Sequence, residues 1–235
     1  MSNFRGQFID FALRGHALAF GEFTTKAGRR SPYFFNTGRF DSGASVGELG
    51  RFYAKTLVAA EREHGLHYDM LFGPAYKGIT LAAATAMALA ALPADEGGRD
   101  IGFAYNRKEA KTHGDSGMLV GAKLQGRVVI IDDVLTDGAS KRESVDIIRA
   151  AGADPVAVLI AMDRMERKDD SGSTASAVQT FEAEYGIPVY AIANLDDLMD
   201  WLKNDSAGDL ASHGAAVAAY RARYGATSER AAVAS

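Results

Sequence analysis

The chain contains no cysteine, which excludes disulfides, thiolate nucleophiles and cysteine-based zinc sites. It has no apolar run approaching the roughly 18 residues of a membrane span. Asp10, Arg14 and His16 interrupt its first segment, so that segment does not read as a secretory signal. Low-complexity tracts and repeats of solenoid period are missing as well. There is no basic excess: 26 Lys and Arg against 30 Asp and Glu give a net charge of −4, which argues against a nucleic-acid partner. Two phosphate-binding signatures are also absent, G-x-x-x-x-G-K-S/T and a G-x-G-x-x-G following a strand. What remains is a chain of 235 residues, 47% hydrophobic and 24% charged. That is enough for one large α/β domain with a small appended lobe. The expectation is a cytoplasmic protein with neither a membrane nor a nucleic acid as partner.

Positive charge is local rather than global. Lys26, Arg29 and Arg30 form one cluster; Arg107, Lys108, Lys111 and His113 form another. Such clusters on an acidic protein suit a small polyanionic ligand. Phe4, Phe8, Phe11 and Ala12 recur at helical spacing. Residues 18–26 and 31–36 read as strands of a hairpin turning at Ala27, Gly28 and Arg29, followed by a helix over 46–63. Beyond Asp69 short apolar runs at 70–72, 101–105, 128–131, 156–161 and 189–192 alternate with helical patterns at 79–92, 141–150, 174–185 and 195–202. Strands apolar on both faces, alternating with helices, predict a doubly wound, mostly parallel sheet. Ligands of such sheets bind beyond the carboxyl ends of the strands. The chain thus divides into an N-terminal helix, hairpin and helix (1–66), an α/β core (67–204) and a C-terminal helix with its tail (205–235).

The most informative segment is 127–140, RVVIIDDVLTDGAS. An apolar strand ends in two carboxylates, Asp132 and Asp133, and a short loop of small residues leads into a helix. Backbone amides of Val134, Leu135, Thr136, Asp137, Gly138, Ala139 and Ser140 can converge on a phosphate, with the helix N-terminus behind them. Two acids beside a phosphate seat repel the phosphate unless they hold something else. A phosphorylated ribose satisfies both halves, with its 5′-phosphate in the loop and its 2′- and 3′-hydroxyls on the acids.

At these residues the sequence resembles the phosphoribosyltransferase family, whose signature is a hydrophobic strand, two acids and a Thr/Gly phosphate loop. Four further segments resemble its orotate branch. The hairpin 25–36 matches the part that covers the base, which implies that Lys26 meets anionic groups and that Phe34 and Phe35 meet orotate. The turn 73–79 matches the pyrophosphate-binding loop, which implies contacts from Tyr76 and Lys77 and a cis bond between Ala75 and Tyr76. Segment 105–117 matches the mobile catalytic loop, which implies that Arg107, Lys108, Lys111 and His113 close over the leaving group, with Gly114 and Gly117 as hinges. In 162–167, Arg164 matches the arginine that pairs with the orotate carboxylate, and Thr136 falls where the base is also touched. Asp137 departs from the pattern, since the orotate enzymes usually carry a small neutral residue there; its side chain is expected to face solvent.

The resemblance implies a type I phosphoribosyltransferase core with an N-terminal hood of helix plus hairpin. It also implies transfer of ribose 5-phosphate from phosphoribosyl pyrophosphate to orotate. Mg²⁺ would be held through substrate oxygens with no direct protein ligand. Catalysis would rest on Lys111, His113, Arg107, Asp132 and Asp133, in a homodimer whose active sites are shared between subunits. Two alternatives stay open at this point. One is a phosphoribosyltransferase for another base; the other is a regulator that senses phosphoribosyl pyrophosphate while binding nucleic acid.

Overall fold

The structure is a computed structural model that describes residues 2–25, 27–109, 118–136, 138–167, 174–204 and 210–226. Lys26, Lys111, His113 and Asp137 therefore lie outside the described residues. The chain opens with α1 (Ser2–Arg14), hairpin strands β1 (Leu18–Thr24) and β2 (Arg30–Phe35), and the long α2 (Gly43–His64). The core follows as β3 (Met70–Gly73), α3 (Lys77–Ala91), β4 (Gly102–Asn106), β5 (Leu119–Gly121), β6 (Arg127–Asp132) and α4 (Ala139–Ala150). It continues through β7 (Asp154–Asp163), α5 (Ala177–Tyr185), β8 (Val189–Asn194) and α6 (Leu195–Asn204), and ends with α7 (Ala211–Tyr224).

The main sheet has the order β5-β4-β3-β6-β7-β8. All neighbouring pairs are parallel except β4 with β5, which is antiparallel. Sequence reading missed β5, because three residues are too few to set a period of two. It also began α5 too early: Ser176 caps that helix by accepting from the Gln179 amide, and its own amide donates to the Gln179 side chain.

Alternation along the strands distributes the core. In β6, Val129 and Ile131 join the cluster under α1, α2, α3, α6 and α7, while Val128 and Ile130 join the cluster under α4 and α5. Both faces of the sheet are thus buried, as the near-continuous apolar runs require. The N-terminal helix is seated by aromatics. Phe11 stacks on Phe40 at 4.6 Å between ring centres, and Phe8 meets Phe52 edge-on at 5.3 Å.

The chain passes from β3 outward to β4 and returns across β3 to β6, so the direction of winding reverses between β3 and β6. A crevice opens at such a switch point, and the loops after these two strands border it. The hairpin β1–β2 is a separate two-stranded sheet. Its turn is closed by the Gly28 amide donating to Thr25 and the Thr25 amide donating to Arg29, with Gly28 at φ +76.

Helices α2 and α3 pack at very close range. A Cβ on Gly50 would lie 2.5 Å from the carbonyl oxygen of Ala84 and 2.8 Å from its carbon. Backbone cannot yield as a flexible side chain can. Gly50→Ala is therefore expected to destabilise the fold by about 1–3 kcal/mol despite alanine's better helix propensity. Thermal melting checks this; an unchanged or raised midpoint would show that the two helices can separate freely.

Candidate active site

A cleft of about 1070 Å³ lies at the switch point, bordered by the hairpin, the turn after β3, the loop after β6 and the loop after β7. It gathers Phe34, Phe35, Tyr76, Lys77, Asp132 and Asp133 with Val134, Leu135, Thr136, Gly138, Ser140 and Arg164. Segments far apart in sequence, from the hairpin to the loop after β7, thus line one cavity.

The two acids end β6 and are only 7% and 8% exposed. A carboxylate so placed needs a partner, and each has a lysine. Lys77, at the start of α3, lies 2.7 Å from Asp133 Oδ2 and 3.0 Å from Asn36 Oδ1. Lys141, in the first turn of α4 and 4% exposed, donates to Asp132 Oδ2 and, at 2.5 Å, to the Val134 carbonyl. Thr37 donates to Asp133 Oδ2 at 3.3 Å, and Ser140 donates to Asp132 Oδ2 at 3.3 Å. Beneath them the Tyr53 hydroxyl donates to the Asp132 carbonyl at 2.7 Å. Burial, and then the charges of Asp133 and Asp132, push that phenol well above its usual range, so it remains a donor.

Lys141, Thr37, Asn36 and Tyr53 were not singled out in the sequence. Lys141 follows directly on the loop in the first turn of the next helix, and a lysine there, nine positions after Asp132, is a signal that could have found it. Tyr53 sits 79 positions from Asp132 and leaves no local trace.

The amides of Asp133 and Val134 donate to the carboxylates of Asp132 and Asp133, at 2.9 Å each. The loop then passes Leu135, whose side chain is buried in the core, to Gly138 at φ +73. Gly138 precedes α4 and has no side chain to cap it. The β3 turn carries the cis bond between Ala75 and Tyr76 that the resemblance implies. Its Ala75 amide donates at 2.9 Å to Asn106, a buried side chain at the end of β4. The same β4 end closes the base of the 107–118 segment, where the Arg107 amide donates to Met118 at 2.7 Å. Lys108 lies 3.7 Å from Glu143 with both side chains open to solvent, a contact worth little.

Around the fourth segment, Arg164 Nε and Nη2 each lie 2.6 Å from Glu166 Oε1, and Nη2 is 3.1 Å from Ser31 Oγ. Its guanidinium rests 4.6 Å over the Tyr33 ring. Burial opposes the Arg164 charge, but Tyr33, Glu166 and Tyr220 around it more than offset this and raise its pKa. Burial also pushes the Tyr33 phenol well above its usual range. Of the hairpin aromatics, Phe35 packs in the core while Phe34 is 42% exposed and stacks on Phe23.

One cation differs from the sequence reading, and a second was not singled out there. Arg29, grouped with a basic cluster suited to a polyanion, is 5% exposed and spans the Arg167 carbonyl (2.9 Å) and the Tyr224 ring (5.0 Å). Arg167, three residues past Arg164, donates to the Arg223 carbonyl at 2.5 Å. Both tie elements together, because contacts distant in sequence claimed their donors.

Residues 47–191 match the model of the phosphoribosyl transferase domain. The chain is 60% identical over 228 residues to an orotate phosphoribosyltransferase of Ralstonia pickettii, covering 95% of this chain and 96% of that one. It is 61% identical over 220 residues to the Cupriavidus necator enzyme of the same name, covering 93% of each. A crystal structure of orotate phosphoribosyltransferase from Francisella tularensis superposes with a TM-score of 0.78 at 37% identity, covering 94% of this chain and all of that one.

The Lys141–Asp132 pair supplies a stability test, since both side chains are at least nine-tenths buried. Lys141→Met leaves a buried, uncompensated carboxylate and should cost about 3–5 kcal/mol. Adding Asp132→Asn should recover part of that loss. Urea denaturation measures both; a loss below about 1 kcal/mol for Lys141→Met would mean the pair behaves as an exposed one.

Proposed function

The chain belongs to the orotate phosphoribosyltransferases of the phosphoribosyl transferase family, and on that premise we propose how its residues divide the work. The enzyme transfers ribose 5-phosphate from phosphoribosyl pyrophosphate to orotate, giving orotidine 5′-monophosphate and pyrophosphate in pyrimidine synthesis. Relatives at about 60% identity over nearly the whole chain remove the two alternatives left open by the sequence. The observation that carries the division of labour is the shared cleft, in which an acidic pair with its loop faces an arginine across an aromatic hairpin.

In this reading the 5′-phosphate sits in the loop of residues 134–140, on backbone amides and the hydroxyls of Thr136 and Ser140. The ribose hydroxyls donate to Asp132 and Asp133. These acids hold lysine partners, so the sugar shares carboxylates already fixed in direction. Lys77, half exposed and reaching Asp133, is placed to meet pyrophosphate oxygens beside Tyr76. Orotate lies against the Phe34–Phe35 edge and Thr136, with its carboxylate toward Arg164.

The bond between C1 and the pyrophosphate oxygen breaks as the base nitrogen attacks, through a transition state of oxocarbenium character. Negative charge grows on the leaving pyrophosphate. Arg107, Lys108, Lys111 and His113, together with Lys26, neutralise it once the loop closes and water leaves. No side chain becomes covalently attached; positioning and charge stabilisation do the work. Mg²⁺ supplies charge neutralisation on the pyrophosphate when bound. Among the described residues no three His, Asp or Glu side chains converge, and both cleft acids are committed to lysines. The donor set therefore fits an ion carried mainly by substrate oxygens and water.

The Arg164 geometry narrows the base contact. Both Nη2 hydrogens face protein acceptors, Glu166 and Ser31, and Nε faces Glu166. No described residue bonds Nη1, so the orotate carboxylate meets that end of the guanidinium. Lysine cannot hold Glu166 and substrate together. Arg164→Lys should raise KM for orotate by about 1.5–3 kcal/mol, roughly 10- to 150-fold, while KM for the sugar donor changes little. The measurement is loss of orotate absorbance in the presence of donor and Mg²⁺. A donor KM that rises while that for orotate stays fixed would remove Arg164 from the base site.

A homodimer with shared sites belongs to the same proposal, as does a cytoplasmic location. Tyr76, Met87, Met118 and Leu119 are large apolar side chains that stay exposed at or on α3 and β5, the elements flanking β4. A second copy would cover them. With Lys111 reaching Asp133 of the other subunit, Lys111→Ala and Asp133→Ala proteins should each be nearly inactive. Mixed with subunit exchange, they should regain about a quarter of full activity, because half the dimers carry one intact site of two. Absence of recovery, with exchange verified by mass, would place the loop over its own subunit's site.

A further inference from the structure

The loop that carries Arg164 is held from outside the core. Met165, the next residue, sits at φ +52, a backbone conformation rare for a side chain of its kind. Its amide donates to Asp163 Oδ1 at 2.8 Å, and its carbonyl accepts from the Ala226 amide at 2.8 Å. Arg167 donates through its amide to the Tyr224 carbonyl at 2.9 Å, and Glu166 pairs with Gly225 in an isolated antiparallel bridge. The chain leaving α7 is itself anchored. Arg221 donates to the Ala226 carbonyl at 2.8 Å and to Asp196 in α6 at 3.1 Å.

α7 also reaches the arginine by its side chains. Tyr220 is 5% exposed, and its ring meets the Tyr33 ring edge-on, 6.0 Å between centres and 88° between planes. Tyr33 in turn lies under the Arg164 guanidinium. The Tyr220 hydroxyl is 3.5 Å from Arg164 Nη2, at the limit of a hydrogen bond, so the ring rather than the hydroxyl supplies most of the support. Tyr224 lies beneath Arg29, which donates to Arg167 within the same loop.

We propose that residues 210–226 form a positioning element of the base site, in which Tyr220 and the Gly225–Ala226 bridge fix the direction of Arg164 and thereby set affinity for the carboxylated base. This rests on the assignment of Arg164 to the orotate carboxylate. The contacts of Tyr220, Gly225 and Ala226 run to the hairpin, to α7 and to residues 164–166, so their effect falls on the base contact.

The test is a double-substitution cycle on the full-length enzyme with Tyr220→Leu, Arg164→Lys and both together. Tyr220→Leu should raise KM for orotate about tenfold, and should add less than about twofold in the Arg164→Lys background, the non-additivity of coupled neighbours. KM for the sugar donor should stay within about twofold throughout, and Tyr220→Phe, which keeps the ring, should restore most of the orotate affinity. If Tyr220→Leu fails to fold, Gly225→Ala reads the same link, because its Cβ would collide with the Arg221 carbonyl and guanidinium and displace the bridge. Fully additive effects, or equal rises for both substrates, would overturn the proposal while leaving Arg164 in place. An unchanged orotate KM in Arg164→Lys alone would instead overturn the base-site assignment, and the proposal with it.

Discussion

Two adjacent carboxylates at the buried end of a strand repel each other and lose most of their hydration, a cost that the fold offsets by delivering a cation to each. Much of the architecture serves this constraint. Lys77 comes from the first residue of α3 and Lys141 from the first turn of α4, helices that follow β3 and β6 and lie on opposite faces of the sheet. The short loops on either side of the switch point are thereby tied to one pair of acids. Asn36 and Thr37 extend the same network to the end of the hairpin, and Tyr53 extends it to α2. Close packing of the backbone makes this convergence possible. A Cβ on Gly73 would overlap the Gly78 carbonyl, so the turn before Lys77 needs glycine to stay compact.

The Arg164 end of the cleft is built on a different principle. It is held by one buried arginine whose charge is balanced by Glu166 and whose face is covered by Tyr33, with the phenols kept neutral by burial. Lys77, at the other end of the cleft, is by contrast half exposed, as suits the leaving-group contact proposed for it. In that proposal Arg164 is held in advance and Lys77 has room to adjust. Recognition of a planar carboxylate rewards fixed direction, whereas neutralising a departing polyanion rewards reach.

The strand-acid-acid-loop segment was legible because its parts are contiguous. An apolar run, two carboxylates and a glycine before a helix state their geometry within fourteen residues, 127–140. Arg164 was legible for a related reason, as it directly follows a strand, β7, whose carboxyl end has to face the crevice. β5 was not legible, because three residues carry no period and its pairing is supplied by β4. Arg29 was misread because a charged side chain in a polar segment looks free for a ligand until the distant carbonyl that claims it is known.

Alone, the sequence determined the doubly wound core, the acidic pair at the end of β6 with its short loop, and most of the segments that border the cleft. Each of these is written in local periodicity or in residues adjacent along the chain. Only the tertiary structure decided which lysine neutralises which acid, which nitrogens of Arg164 the protein itself holds, and that the last helix braces the loop bearing it. Those facts depend on partners from 9 to 133 residues apart, and their direction is set by packing that no short window of sequence contains.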